Sequence, residues 1–130
     1  LPVIIHNRKA HDECIKLLQK HNLVGGIIHA FNGSLQQAKK YTDMGFLLGF
    51  GGMLTYTRSR KLRGLALATP LQHMALETDA PDMTVSQHQG ARNSPAYLTH
   101  VVEAIADIKQ VERYEVAQTT STNIERIFLI

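Results

Sequence analysis

The sequence predicts an α/β protein built on a parallel sheet, because short, almost wholly apolar runs alternate with segments of helical periodicity. Four such units follow one another in 130 residues. Val3 to Ile5 is a β-branched run that ends at His6, and Ile15, Leu17, Leu18 and Leu23 then recur at near-helical spacing. Gly25-Gly26 punctuates, and Ile27 to Phe31 reads as a second buried strand. Ser34 is placed to cap the next helix, in which Leu35, Ala38, Tyr41 and Met44 return at three-residue steps before Gly45 stops it.

The third unit is the strand Phe46 to Phe50, with glycines at 49, 51 and 52 that permit close backbone approach. Its helix carries Leu62, Leu65, Ala66 and Leu67 and ends before Thr69-Pro70. The fourth strand is read as Met74 to Asp79, stopped by Ala80-Pro81. Beyond the polar loop 83–94, Pro95 suits a helix start, and Val101, Val102, Ile105 and Ile108 give that helix an apolar face. A final segment holds Val116, Ala117, Ile124, Ile127 and Phe128, with Asn123 expected to cap a last short helix.

Two architectures fit four strand-helix units: an open doubly wound sheet, or an arc of a (β/α) barrel. The open sheet ordinarily carries a glycine-rich phosphate turn after its first strand, and neither GxGxxG nor GxxxxGKS occurs here. A complete barrel needs eight strands and about 250 residues, so this chain amounts to half of one.

Composition narrows the class further. With 44% hydrophobic and 19% charged residues, one globular domain over 1–130 is expected. No apolar run approaches the roughly 18 residues that cross a bilayer, and no segment resembles a signal peptide, so a cytoplasmic protein without a membrane partner is expected. A single cysteine, Cys14, excludes an intramolecular disulfide and any CxxC motif. The net charge of +3 permits a polyanionic partner but does not demand one. The chain opens Leu-Pro-Val-Ile-Ile, directly into a strand, which is unusual for a natural start.

Three strands end in residues able to bind a metal: His6, His29 and Asp79. Each follows an apolar run and precedes a turn, at the carboxyl end of a parallel strand, where α/β proteins build their active sites. Side-chain alternation sets Ile4 with His6, Ile27 with His29, and Glu77 with Asp79 on common faces. Any one of these histidines has an ordinary explanation as a backbone-bonded side chain, and Asp79 as a turn former; together they point to a shared divalent metal. Mixed imidazole and carboxylate ligands suit magnesium, manganese, zinc or iron.

Glu77 and Asp79 form a carboxylate pair in a buried-looking strand, a costly arrangement without a compensating cation. Asp79 is the stronger candidate for catalysis; for Glu77 an ion pair is as good a reading as a catalytic role. Between Thr55 and Arg63 lie four cations and Tyr56. Arg58, nearest the strand end, is expected to bind phosphate, and Tyr56 to stack on a base, whereas Arg60, Lys61 and Arg63 fit a solvated helix face. Arg8, two residues past His6, and Ser34 complete the expected substrate-binding set. Asp12 and Glu13 suit the positive end of a helix dipole rather than a metal with His11, and His21, His73, His88 and His100 read as surface residues.

In order and spacing, Pro2-Val-Ile-Ile-His6-Asn-Arg8, His29-Ala-Phe-Asn-Gly33-Ser34, Gly49-Phe-Gly-Gly52, Glu77-Thr-Asp79-Ala-Pro81 and Arg92-Asn93-Ser-Pro95 resemble the TatD-type metal-dependent deoxyribonucleases. The resemblance runs the whole chain and is strongest to TatD-like hydrolases of bacteria; Asn32 stands where serine is commoner. It implies a TIM-barrel of the amidohydrolase type, with His6, His29 and Asp79 ending strands five, six and eight. It further implies ligands from a His-x-His on strand one and a glutamate on strand four, and two metal ions in the complete enzyme. This chain contains no His-x-His, so the resemblance places it as the carboxyl-terminal half, with two open sheet edges and a bare apolar interior. The implied activity is hydrolysis of phosphodiester bonds at single-stranded DNA or RNA ends. The alternatives are hydrolysis of another ester or an amide on the same scaffold, or an inactive fragment that self-associates through its open edges.

Overall fold

The computed structural model describes residues 1–130. Strand β1 spans Val3–His6, β2 Gly26–His29, β3 Phe46–Phe50 and β4 Met74–Leu76. Between and after them lie helices α1 (His11–Gln19), α2 (Leu35–Asp43), α3 (Arg60–Ala68), α4 (Leu98–Lys109) and α5 (Arg113–Phe128). The strands form one sheet in the order β1-β2-β3-β4, every neighbouring pair parallel. That order separates the two architectures: a doubly wound sheet reverses direction at a switch point, whereas a barrel arc adds each strand beside the last.

Strand alternation divides the sheet into two faces. Ile28, Phe46, Leu48, Phe50 and Met74, each at most 1% exposed, pack with Ala38 and Tyr41 of α2, Leu65 and Ala66 of α3, Val101 and Ile105 of α4, and Val116 of α5. The opposite face carries Ile4, Ile27, Leu47 and Ala75, then His6, His29 and Glu77 toward the carboxyl ends of the strands. Leu47 and Ala75 are buried, but Ile4 is 65% exposed. The open region of this face is therefore next to β1, at the sheet edge.

Local chemistry fixes the connections. Ser34 and Gln37 make a reciprocal capping box at the start of α2, worth about 1 kcal/mol. Gly45, with φ of 87°, turns the chain out of α2 in a conformation that side-chain-bearing residues rarely adopt. Lys109 Nζ donates to the carbonyls of Ala66, Leu67 and Thr69, tying α4 to the unsatisfied end of α3.

Three expectations need correction. The β4 ladder stops at Leu76 rather than Asp79, because Asp79 adopts φ of 52° and leaves the strand path. Asn123 caps no helix: α5 is continuous, and its buried amide donates to the carbonyls of Leu71 and Met74. Leu17, Leu35 and Leu67 are more than half exposed; each helix is only nine residues long and buries a narrower stripe than the periodicity suggests. No helix is long and apolar enough to cross a membrane.

Candidate metal centre

His6 and His29 are register partners on adjacent strands, so their side chains leave the sheet side by side. Their ring centroids lie 5.7 Å apart with a tilt of 32°. Two strands further along, the turn at Asp79 brings Oδ1 to 3.6 Å from His29 Nε2. Two ligands of one tetrahedral metal at bond lengths of about 2.0–2.2 Å stand about 3.3–3.6 Å apart, so this pair has the spacing of shared ligation.

The orientation of His29 has a specific cause. Glu77 Oε2 accepts from His29 Nδ1 at 3.0 Å, and Glu77 Oε1 accepts from the Ala30 backbone N–H at 2.6 Å. With its proton held on Nδ1, the imidazole presents the Nε2 lone pair toward Asp79, the tautomer a metal ligand needs. To reach His29 from β4, the Glu77 side chain crosses β3 over Gly49. A Cβ at residue 49 would collide with the Glu77 carboxylate. Burial pushes the Glu77 carboxyl above its ordinary range, opposed by His29 and the Ala30 N–H.

A buried asparagine, outside the sequence-derived site, secures Asp79. Asn93 Nδ2 donates to the carbonyls of Thr78 at 2.6 Å and Asp82 at 2.8 Å, on either side of Asp79, and its backbone N–H donates to Pro81. The same loop is tied to the turn after β3 by Ser86 N–H to Thr55 Oγ1 and by Tyr56 O–H to the Thr84 carbonyl.

The donor types fit a divalent ion, but the fit is partial. No three His, Cys, Asp or Glu side chains draw together into a group that would hold a metal unaided. His29 and Asp79 are at ligand spacing, while His6 stands beside them, exposed. The reason lies in sheet geometry: neighbouring parallel strands are about 4.8 Å apart, and register partners project alongside one another instead of converging.

The expected substrate-binding residues separate. Arg8 and Arg58 are exposed near the strand ends. Tyr56 is corrected: its ring is only 7% exposed, its hydroxyl is bonded to Thr84, and the Arg58 guanidinium sits 4.4 Å from its centroid. No face is free for a base, and the ring instead carries Arg58 by a cation–π contact. Ser34 Oγ accepts from the Gln37 N–H as a helix cap. Arg63 donates to the Leu54 carbonyl and Lys61 to that of Asn32, so only Arg60 of that group is an unengaged solvated cation.

Two other histidines are not the isolated surface groups expected. His88 lies flat on Tyr97, centroids 3.9 Å apart, with His100 beside it at 5.4 Å. His11 Nδ1 pairs with the buried Tyr41 hydroxyl at 2.9 Å. Asp12 accepts from Gln37.

A sequential parallel sheet with two imidazoles and a carboxylate at the carboxyl ends of its strands has the architecture of an arc of a (β/α) barrel carrying candidate metal ligands. Comparison with known proteins agrees, for the TatD related DNase family matches residues 1–129. The chain belongs to that family. It is 38% identical over 129 residues to the uncharacterized metal-dependent hydrolase YjjV of Escherichia coli K12, covering 98% of this chain and 50% of that protein. It is 37% identical over 132 residues to the uncharacterized metal-dependent hydrolase YabD of Bacillus subtilis 168, covering 100% of this chain and 52% of YabD. The crystal structure of Escherichia coli YjjV superposes with a TM-score of 0.92, covering 100% of this chain and 51% of that one at 37% identity. A TatD family hydrolase from Entamoeba histolytica shares the fold, with a TM-score of 0.82 at 18% identity and coverage of 98% and 50%. The chain thus spans about half the length of the curated relatives it matches, and corresponds to their carboxyl-terminal half.

Proposed function

We propose that this chain supplies His29, Asp79 and His6 to a divalent-metal centre that hydrolyses phosphodiester bonds in nucleic acid, as a deoxyribonuclease acting at strand ends. The observation that carries the reading is the His29–Asp79 pair, held at ligand spacing by a glutamate that fixes the imidazole tautomer. The curated relatives are named metal-dependent hydrolases, and the family name adds DNase.

A divalent ion at such a centre supplies an acidified water and polarises the phosphoryl oxygen. The rest falls to the chain. Asp79 has two carboxylate oxygens, of which Oδ1 faces His29, leaving Oδ2 available to accept the proton from the attacking water. Glu77, with both oxygens engaged, is better suited to orienting His29 than to direct catalysis. Arg58, steadied on Tyr56, and Arg8 past β1 supply positive charge for the phosphate.

Metal titration of the full chain against end-labelled single-stranded DNA tests the reading. Cleavage that rises with magnesium, manganese or zinc and disappears with chelator is expected. Metal-dependent hydrolysis of an amide or carboxylic ester, with DNA and RNA left intact, would replace it by the rival chemistry.

A further inference from the structure

A cavity of about 140 Å³ adjoins the candidate centre without belonging to its ligand set. Glu77 and Asp79 border it, but neither histidine does. Its remaining walls are largely apolar: Phe31 and Phe50, each 1% exposed, with Leu62, Met53 and Met83. The glycine backbone at residues 49, 51 and 52 also lines it and takes up no side-chain space. An apolar hollow directly beside a polar centre contributes nothing to holding a cation. It has the character of a ligand pocket, apolar walls with a few polar groups.

Size identifies the occupant. An engineered apolar cavity of about 150 Å³ takes up one benzene molecule, so the space here, about 140 Å³ and open on one side, matches a single six-membered ring better than a fused two-ring system. Phe31 and Phe50 are locked in the core, so the pocket cannot widen in their direction. The polarisable sulfur atoms of Met53 and Met83, which keep some exposure, suit an aromatic ring.

We propose that this cavity is a single-ring subsite that receives the pyrimidine base of the nucleotide whose phosphate lies at His29 and Asp79. The identity of the nucleotide rests on the phosphodiesterase reading; the ring selectivity rests on the cavity alone. The subsite would make the enzyme discriminate among strand ends by base size, a property separate from metal binding.

Two measurements on the full, metal-loaded chain test it. In the first, single-stranded oligonucleotides that differ only in their terminal base are compared. Pyrimidine ends should be cleaved with kcat/KM at least about tenfold above purine ends, the discrimination a tight pocket gives a misfitting group. In the second, calorimetry compares thymidine 5′-phosphate, deoxyguanosine 5′-phosphate and inorganic phosphate, with thymidine 5′-phosphate expected to bind at least about tenfold tighter than the others. Leu62→Ala should enlarge the pocket and relax the preference, and Met53→Trp should fill it and erase the gain over inorganic phosphate.

The outcomes separate the two ideas. Ring-selective binding without cleavage of any oligonucleotide upholds the subsite and removes the phosphodiesterase reading. Cleavage indifferent to the terminal base, with equal binding of both nucleotides, overturns the subsite and leaves the phosphodiesterase reading in place. Failure of both measurements removes both.

Discussion

The protonation and direction of one imidazole depend on a carboxylate from two strands away. Glu77→Gln keeps the shape but replaces an acceptor with an amide N–H facing His29 Nδ1, which favours the proton on Nε2, where the metal would bind. Metal affinity should fall by about 10–100-fold, the usual cost of losing such an orienting partner, as measured by competition against a chelating dye. Gly49→Ala should reach the same end by another route, since the added methyl displaces the Glu77 carboxylate. Because both act through one contact, the double variant should bind metal no more weakly than the worse single one; additive losses would show that Gly49 matters for some other reason. His11 gives a separate pH signature. Burial, aided by Lys61, holds its imidazole below the ordinary value of 6.5. The neutral form therefore stabilises the fold fully above pH 6.5, and that contribution is lost as pH falls through the lower folded value. The urea midpoint of the native chain should drop on acidification by more than that of His11→Gln, and parallel pH profiles would refute this.

At the scale of elements, the loop between β4 and α4 matters most, because it sets where Asp79 stands. Asn93→Ala removes the buried donor to the Thr78 and Asp82 carbonyls, a loss of about 1 kcal/mol for each hydrogen bond. Both urea stability and metal affinity should fall, whereas Asn123→Ala, which frees carbonyls on the far side of β4 from the site, should lower stability with metal affinity kept in the folded fraction. Equal effects of the two on metal affinity would show that Asn93 has no special hold on the site. Periodicity revealed the strands, the first four helices and the strand-end positions of His6 and His29, because those depend on local pattern. It did not reveal Asn93 or Asn123, whose partners lie up to 52 residues away, and an asparagine in sequence carries no mark of what it will bond. Tyr56 misled for a related reason: its position beside Arg58 was visible, its burial beneath the loop was not.

For the whole molecule, the decisive feature is the difference between the two faces of one sheet. Apolar strands on both sides announce a sheet meant to be covered twice, and that was legible from Val3-Ile4-Ile5 and Ile27-Ile28 onward. What such runs cannot tell is which face is covered from within the same 130 residues. The structure answers it: five helices bury one face, while Ile4 remains 65% exposed on the other, beside the β1 edge. That edge also presents the unpaired backbone groups of an outermost strand. Burying a side chain such as Ile4 is worth about 1.5–3 kcal/mol, and an open strand edge is a template for pairing. Residues 1–130 produced alone should therefore associate as concentration rises, by light scattering. Ile4→Lys puts a charge on the bare face next to that edge, so it should shift the mass toward monomer while the helical circular dichroism stays unchanged. If the lysine variant associates to the same extent, another surface is responsible and the open face of the arc is not what drives self-association.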